Sequence, residues 1–349
     1  VAQVTGRGCG AHGGGQSERR RRLIAVAVPE AHRAVISDWT WQLETGQRMN
    51  NFAGKVAVIT GAGSGFGREF ARLGTKLGMR LVLADVQQDA LDETFAEVSA
   101  AGAQAIARRV DVAKGEEIDA LARATLDAYG GVHLVFNNAG VGGSGGLVWE
   151  NTERDWQWLL GVNLWGVIHG VRVFTPLMLE AARRDPDYRG HIVNTASMAG
   201  MLNPPMMGPY NVSKHAVVSL TESLYQDLSL VTQQVACSVL CPYFVPTGIA
   251  KAHRNRPSEL ANDTPPTLSQ RVSRVMSEKA VSSGKVSARE VADMVFNAIR
   301  EEQFYIFSHP HALAAVKTRA EDIVMPRNPT DPFAERPEVR AQIIEALKG

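Results

Sequence analysis

A short apolar run that breaks into a cluster of glycines and resumes as a helix constrains this chain more than any other feature. Lys55-Val-Ala-Val-Ile-Thr60 is apolar without alternation, the pattern of a strand covered on both faces. Gly61-Ala62-Gly63-Ser64-Gly65-Phe66-Gly67 follows at once, and helical periodicity then runs from Arg68 to Leu77. Glycines at such a turn have separate tasks: a tight bend, an open approach of backbone N–H groups to a pyrophosphate, and close packing of helix on strand. The helix N-terminus adds unpaired N–H groups and the positive end of its dipole. A second strand, Arg80–Ala84, ends at Asp85, 18 residues beyond Gly67, where a carboxylate can accept hydrogen bonds from an adenosine ribose. The unit suits a dinucleotide, with Gly61, Ser64, Gly65, Phe66 and Gly67 at the phosphates and Asp85 at the ribose.

Strand and helix signals alternate through the rest of the chain. Further strands are expected near 104–109, 132–137, 190–195, 235–240 and 303–308, with helices near 88–101, 115–129, 153–182, 209–233 and 287–300. Parallel neighbours need crossover connections, and these are right-handed, so the fold class is α/β: a Rossmann-type, doubly wound parallel sheet with helices on both faces. One domain over 49–310 accommodates all of it. Polar residues and prolines from Pro242 onward, among them Pro246, Pro257, Pro265 and Pro266, predict a lid over roughly 242–285. Residues 311–349 form a C-terminal extension, with Pro326, Pro329, Pro332 and Pro337 in a surface wrap before a short helix near 338–347.

Residues 1–48 differ in character. They carry seven Arg and four acids, a net +3, against −2 for the remainder, and they show neither strand nor helix periodicity. The expectation is a disordered extension upstream of a natural start at Met49. Arg19 to Arg22 precede an apolar run that stops after six residues at Pro29-Glu30, short of the seven to fifteen of a signal peptide. A mitochondrial-type presequence is the remaining targeting reading. Over the whole 349 residues, 37 Lys and Arg balance 36 Asp and Glu, which argues against a chain that coats nucleic acid or an anionic membrane. No uninterrupted apolar stretch approaches the ~18 residues of a membrane span. Cys9, Cys237 and Cys241 are too few for a disulfide framework, and the latter two read as core thiols in a reducing, cytoplasmic compartment.

The chemistry concentrates in Tyr210-Asn-Val-Ser-Lys214, with Ser197 thirteen residues earlier at a strand end. Tyr210 and Lys214 are i and i+4 on a helix and share a face. An ammonium near a phenol favours the phenolate, so Lys214 is expected to lower the Tyr210 pKa from ~10 toward the working pH. Ser197 can hydrogen-bond the same substrate oxygen.

With these residues the chain resembles the short-chain dehydrogenase/reductase family, in its shorter single-domain branch, over about 52–310. The matching motifs are Thr60-Gly61-x-x-x-Gly65-x-Gly67, Asp111-Val112, Asn137-Asn138-Ala139-Gly140, Asn163 in Gly161-Val-Asn-Leu, Ser197 and Tyr210-x-x-x-Lys214. The resemblance implies strand order 3-2-1-4-5-6-7 and a homodimer or homotetramer built on the helices carrying Asn163 and Tyr210. It implies that Asp111 and Val112 hold the adenine and that Asn138, Ala139 and Gly140 line the cofactor cleft. It further implies that Asn163 supports a water linking Lys214 to solvent. One departure stands out: where the family has Pro-Gly-x-Val-x-Thr, this chain has Pro242-Tyr243-Phe244-Val245-Pro246-Thr247. Pro242, Val245 and Thr247 remain placed to meet the nicotinamide, but Tyr243 replaces a glycine.

The implied reaction is hydride transfer between a secondary alcohol or ketone and a nicotinamide, with Tyr210 as general acid/base, Ser197 orienting the reacting oxygen and Lys214 also holding the nicotinamide ribose. NAD is favoured over NADP because Asp85 repels a 2′-phosphate and neither Ser64 nor Val86 supplies a compensating cation. The methionines between Ser197 and Tyr210 (Met198, Met201, Met206, Met207) point to a hydrophobic or aromatic substrate. An NADP-dependent ketoreductase and a non-catalytic nucleotide-binding scaffold are the alternatives. No metal site is expected: His309-Pro-His311 is the one close pair and lacks a partner at ligand spacing. The helix near 153–182 has more apolar residues than one sheet-facing stripe uses, which predicts a second buried face against another subunit.

Overall fold

The computed structural model describes residues 48–349. The expectations for the N-terminal extension and Cys9 therefore lie outside the described residues. Seven parallel strands form one sheet in the order β3-β2-β1-β4-β5-β6-β7. They are β1 (Val56–Thr60), β2 (Arg80–Asp85), β3 (Ala105–Arg109), β4 (Leu134–Asn137), β5 (Gly190–Thr195), β6 (Val235–Cys241) and β7 (Tyr305–Phe307). β1, β4 and β5 are buried along their full length: β1 and β4 as apolar runs without alternation, β5 with His191 and Asn194 satisfied by buried hydrogen bonds to Ser238 and to Asn137 and Thr221.

On one face, α1 (Gly65–Lys76), α2 (Gln88–Ala100) and α8 (Ala288–Glu301) enclose a core in which Phe70, Phe136 and Phe296 pack ring to ring. On the other, α3 (Gly115–Tyr129), α5 (Gly166–Arg184) and α6 (Gly208–Val231) bury Ile118, Leu121, Phe174, Met178, Leu224 and Leu228. Chain direction reverses strand order between β1 and β4, so the carboxyl ends of these two strands open a crevice at the switch point where such folds bind ligands.

Two expectations need correction and one is refined. The long helix near 153–182 is unbroken from Glu153 to Arg184, but a π-turn (Gly161–Trp165) separates its α4 (Glu153–Leu160) and α5 segments, where Asn163 is drawn into side-chain hydrogen bonds. The lid is not merely irregular chain: after two 3₁₀ segments (Gly248–Asn255 and Ser258–Leu260) it forms α7 (Leu268–Ser282), capped by reciprocal Thr267 and Gln270 bonds. The buried face of α7 is Ser269, Gln270 and Ser273, so its polarity gave no apolar stripe to read. A second unforeseen helix, α9 (Leu313–Val324), precedes the expected terminal one, α10 (Pro337–Ala346).

By length and composition alone the continuous rod Glu153–Arg184 could cross a membrane. Its Val167, Gly170, Phe174, Met178 and Ala182 are buried in this fold, as in the core helix of any such sheet. Cys237 and Cys241 are free, buried thiols on β6, each pushed up to about 12 by burial and so unreactive.

Candidate active site

The glycine turn closes as the spacing requires. A side-chain carbon at Gly67 would lie 2.1 Å from the Gly61 carbonyl oxygen, and one at Gly61 would lie 2.9 Å from Ala139 Cα. Gly61 and Gly65 have φ of +67° and +52°, conformations that L side chains rarely adopt. Ser64 precedes α1 without using its side chain as a cap. The Phe66 ring stacks toward Phe70 and the core, so its backbone is what it offers the crevice. Asp85, at the end of β2, accepts from the Gly63 N–H at 2.8 Å and the Gln87 N–H at 2.9 Å. Burial pushes its carboxyl up, against these N–H groups and the Arg254 charge, which pull it down.

Arg68, inside α1, does point away from the crevice. Its guanidinium donates to the Gly63 carbonyl at 2.7 Å, to Thr94 Oγ1 at 2.9 Å and to Glu93 at 2.9 Å, bracing the glycine turn against α2. Asp111 accepts from the Ala113 N–H at 3.1 Å, and Val112 is buried against Gly166. Thr60 Oγ1 accepts from the backbone N–H groups of Asn138 at 2.9 Å and Ala139 at 3.2 Å, and Asn138 Nδ2 returns a bond to the Thr60 carbonyl at 2.9 Å. That exchange ties the floor of the crevice to β1.

Asn163 is fully buried. It exchanges two hydrogen bonds with the Val141 backbone, at 2.8 and 2.9 Å, and donates to Ser213 Oγ at 3.2 Å. The ordinary helical spacing around it carries no sign of the π-turn on which it sits. A side-chain carbon at Gly140 would stand 3.4 Å from Asn163 Oδ1 and 3.6 Å from Lys214 Nζ, so these three groups adjoin.

Tyr210 and Lys214 lie on one face of α6, with Lys214 Nζ 5.7 Å from the centre of the Tyr210 ring. Nζ donates to the Thr195 carbonyl at 2.9 Å. Ser197 sits just past β5, where its hydroxyl adjoins the Tyr210 phenol, donates to the Pro242 carbonyl at 3.4 Å and accepts from the Ala199 N–H at 3.1 Å. Burial, rather than the Lys214 charge, dominates at Tyr210 in this structure. Burial raises the phenol, Ser197 partly offsets it, and burial also lowers Lys214 to about 8. Packing has desolvated both groups, and the ammonium is turned onto a carbonyl rather than the phenol.

At the base of the lid, the Pro242 carbonyl accepts from the Met198 N–H at 2.9 Å. The Val245 side chain is buried in the core, which leaves its backbone for the crevice. Thr247 comes within 3.4 Å of where a Gly65 side-chain carbon would be, so the lid base meets the glycine turn. Tyr243 stacks on Phe244 at 4.2 Å and meets His309 edge-on at 5.8 Å, which is where the ring replacing the family's glycine goes. His309 and His311 pack edge to face, with His309 Nδ1 bonded to Ser308 Oγ at 2.7 Å. Among the described residues no three His, Cys, Asp or Glu side chains gather as a cation site.

Sequence reasoning missed Arg254. This exposed lid residue brings its guanidinium within 3.3 Å of the position of a Gly248 side-chain carbon, which is itself 3.9 Å from Ser64 Oγ, and its charge acts on Asp85. Only the folding of a distant loop brings it there.

The description "short chain dehydrogenase" matches residues 55–258, and the chain belongs to that family. A short chain dehydrogenase/reductase from Burkholderia phymatum, solved in complex with NAD, is 57% identical, with a TM-score of 0.79 over 82% of this chain and 100% of that one. The 1-deoxy-11-beta-hydroxypentalenate dehydrogenase of Streptomyces exfoliatus is 32% identical over 77% of this chain and 88% of its own. The cyclohexanol dehydrogenase of an Acinetobacter strain is 32% identical over 50% of this chain and 67% of its own. The protein is therefore an oxidoreductase of a nucleotide-binding fold, with relatives named for dehydrogenating hydroxyl-bearing compounds.

Proposed function

We propose that the protein interconverts a secondary alcohol and its ketone with NAD, using Tyr210 as proton acceptor and donor. The observation that carries this reading is the cluster in the crevice: the Tyr210 phenol with the Ser197 hydroxyl adjoining it and a buried Lys214 on the same helix face. A solvated i,i+4 pair would leave the lysine exposed; Lys214 is 2% exposed.

The residues present fit a dinucleotide. Gly61 and Gly67 let the turn close where no side chain fits, leaving Gly61, Ser64, Gly65, Phe66 and Gly67 to offer backbone to the phosphates; Asp85 would take the ribose, Asp111 and Val112 the adenine, and Asn138, Ala139 and Gly140 the floor. When bound, the nicotinamide supplies the acceptor or donor of hydride. Tyr210 Oη takes the alcohol proton during oxidation and returns it during reduction. Ser197 Oγ holds the reacting oxygen. Lys214 keeps a positive charge beside the phenol and reaches the nicotinamide ribose, while Asn163 fixes the backbone at Val141 and the adjoining Ser213. Because burial raises Tyr210, the phenol is protonated at neutral pH and alcohol oxidation speeds up as pH rises.

NAD is preferred because the Asp85 carboxylate occupies the place a 2′-phosphate would need. Arg254 tempers that preference, since it brings a cation to the same end of the crevice that the neighbouring sequence lacks. The wall around Tyr210 is Val141, Trp158, Leu159, Ala252 and Leu260, which favours a hydrophobic alcohol. We also read residues 49–310 as the catalytic domain with its lid. Trp165, Val212 and Tyr225, about half exposed, are the patch for a second copy. Incubating the protein with NAD and a panel of cyclic and aryl secondary alcohols tests the reading. NADH formation is expected, with a slower reaction on NADP; no turnover on the alcohols or on their ketones with NADH would contradict it.

A further inference from the structure

The lid carries a polar device that the reaction does not use. Asp155, on the first turn of α4, has a side chain 1% exposed and pairs with Arg256 of the lid at 2.7 Å, itself 14% exposed. All three guanidinium nitrogens of Arg256 are engaged. Nη1 donates to Asp155, Nη2 to Asn262 Oδ1 at 2.9 Å and Nε to the Leu260 carbonyl at 2.6 Å. The flat face of the group lies 5.2 Å from the centre of the Trp158 ring. The carboxylate is equally committed: Ser144 Oγ donates to it at 2.5 Å, the Thr152 N–H at 2.9 Å and Asn262 Nδ2 at 3.1 Å. One ion pair thus joins the glycine-rich loop after β4, the start of α4 and the lid.

Trp158 also belongs to the apolar cluster proposed above as the substrate wall. Trp158 packs with Val141, Leu159 and Ala252, and Tyr210 and Leu260 pack against that cluster. Ala252 and Leu260 are lid residues on either side of Arg256. Further along, Ser269 Oγ accepts from the Leu147 N–H at 2.9 Å and Ser273 Oγ donates to the Met206 carbonyl at 3.0 Å. A side-chain carbon at Gly145 would lie 2.3 Å from Ser273 Oγ, so the glycines let α7 seat against the loop.

We propose that Asp155 and Arg256 are positioning residues: a buried latch that fixes the lid wall beside Tyr210 before the alcohol arrives. The proposal rests on the alcohol-oxidising reading above. A charge pair stripped of water holds only while both partners are present, and truncating one strands the other. The forked guanidinium fixes direction as well as distance, because it bonds Asp155, Asn262 and the Leu260 backbone at once. The latch touches neither reacting atoms nor the glycine turn, so its loss falls mainly on the alcohol, and the dinucleotide feels it only through Arg254, two residues away in the same lid segment.

The test uses the full chain with Arg256→Met, Asp155→Asn and the double variant. Three readouts apply: KM and kcat for an alcohol that the wild type turns over, the NAD dissociation constant, and the rate of tryptic cleavage at the exposed lid residues Lys251 and Arg254. Each single change is expected to raise the alcohol KM at least tenfold, with kcat within about threefold and NAD binding within twofold, and to speed lid cleavage. The double variant should be no worse than the poorer single. Arg256→Lys, which keeps a charge for Asp155 but loses the fork, should take an intermediate KM and gives a folded variant if the others fail to fold. An unchanged KM, a matching loss of NAD binding, or multiplying single effects would overturn the latch. If the wild type oxidises no alcohol, the functional reading fails by itself. The cleavage rate then still decides: faster lid cleavage in the single variants supports the latch, and an unchanged rate removes it.

Discussion

The two ends of the crevice are built on different physics. At the phosphate end everything closes on backbone atoms: Gly67 lies against the Gly61 carbonyl, the Thr60 hydroxyl accepts from the backbone N–H groups after β4, and the Arg68 guanidinium holds the Gly63 carbonyl from behind. At the alcohol end, loops are joined by side chains far apart in sequence, such as Arg256 with Asp155 across 101 residues and Ser269 with Leu147 across 122. The first arrangement leaves no room for substitution. The second can be retuned one pair at a time, which suits a fold that keeps its dinucleotide and varies its alcohol.

Of the changes that compare the two ends, breaking the rigid one should have the largest effect on dinucleotide binding. Gly67→Ala sets a methyl against a backbone oxygen that cannot swing away, so about 2 kcal/mol or more is lost. The shifted turn also moves its N–H groups away from the pyrophosphate, and NAD binding should weaken roughly thirtyfold by calorimetry. Binding within twofold of wild type would show that the turn yields more easily than its geometry says.

Acid probes the sheet beneath both ends. His191 is buried with Nε2 2.7 Å from Ser238 Oγ and is lowered to about 3 by burial; His133 accepts from the Val56 N–H and is lowered to about 4, first by burial and then by the Lys55 charge. The folded state therefore binds fewer protons than the unfolded chain below pH ~6.5. Their stabilisation is complete above that pH and is lost as pH falls toward about 4 and about 3. Near pH 5, His191 alone should cost about 2 kcal/mol. Thermal melts from pH 7.5 to 5 should show Tm falling, and His191→Gln should flatten part of the slope. A pH-independent Tm would remove the buried histidines from this role.

Asp85→Ala sharpens the comparison with a smaller effect. It removes a ribose acceptor and a repulsive charge while leaving Arg254 in place, so the NAD:NADP ratio in kcat/KM should narrow by about tenfold. An unmoved ratio would mean that Asp85 only braces Gly63 and Gln87, whose N–H groups it already accepts.

The same division decides what could be read in the sequence. The β1–glycine–α1 unit, Asp85, and the Tyr210–Lys214 spacing are local patterns, and each lies where its spacing put it. The π-turn at Asn163 escaped notice because Gly161-Val-Asn-Leu-Trp165 has ordinary helical apolar spacing; only the Val141 backbone, 22 residues away, draws the ladder open. Helix α7 was hidden because serines and a glutamine, rather than an apolar stripe, face the glycine loop, although Thr267 and Gln270 spelled its cap. Arg254, Arg256 and Asp155 were ordinary surface charges until the lid folded back. Even the electrostatic sign at Tyr210 depended on packing, since adjacency to Lys214 was legible but the desolvation of both groups was not.

The central claim is that Tyr210 moves the proton while the glycine end holds the dinucleotide, and Tyr210→Phe separates those tasks with one oxygen atom. Turnover of an alcohol that the wild type oxidises, measured beside the NAD dissociation constant, decides it. The account predicts a loss of roughly 10²- to 10⁴-fold in kcat with NAD binding within about twofold. A variant that turns over near the wild-type rate would contradict it.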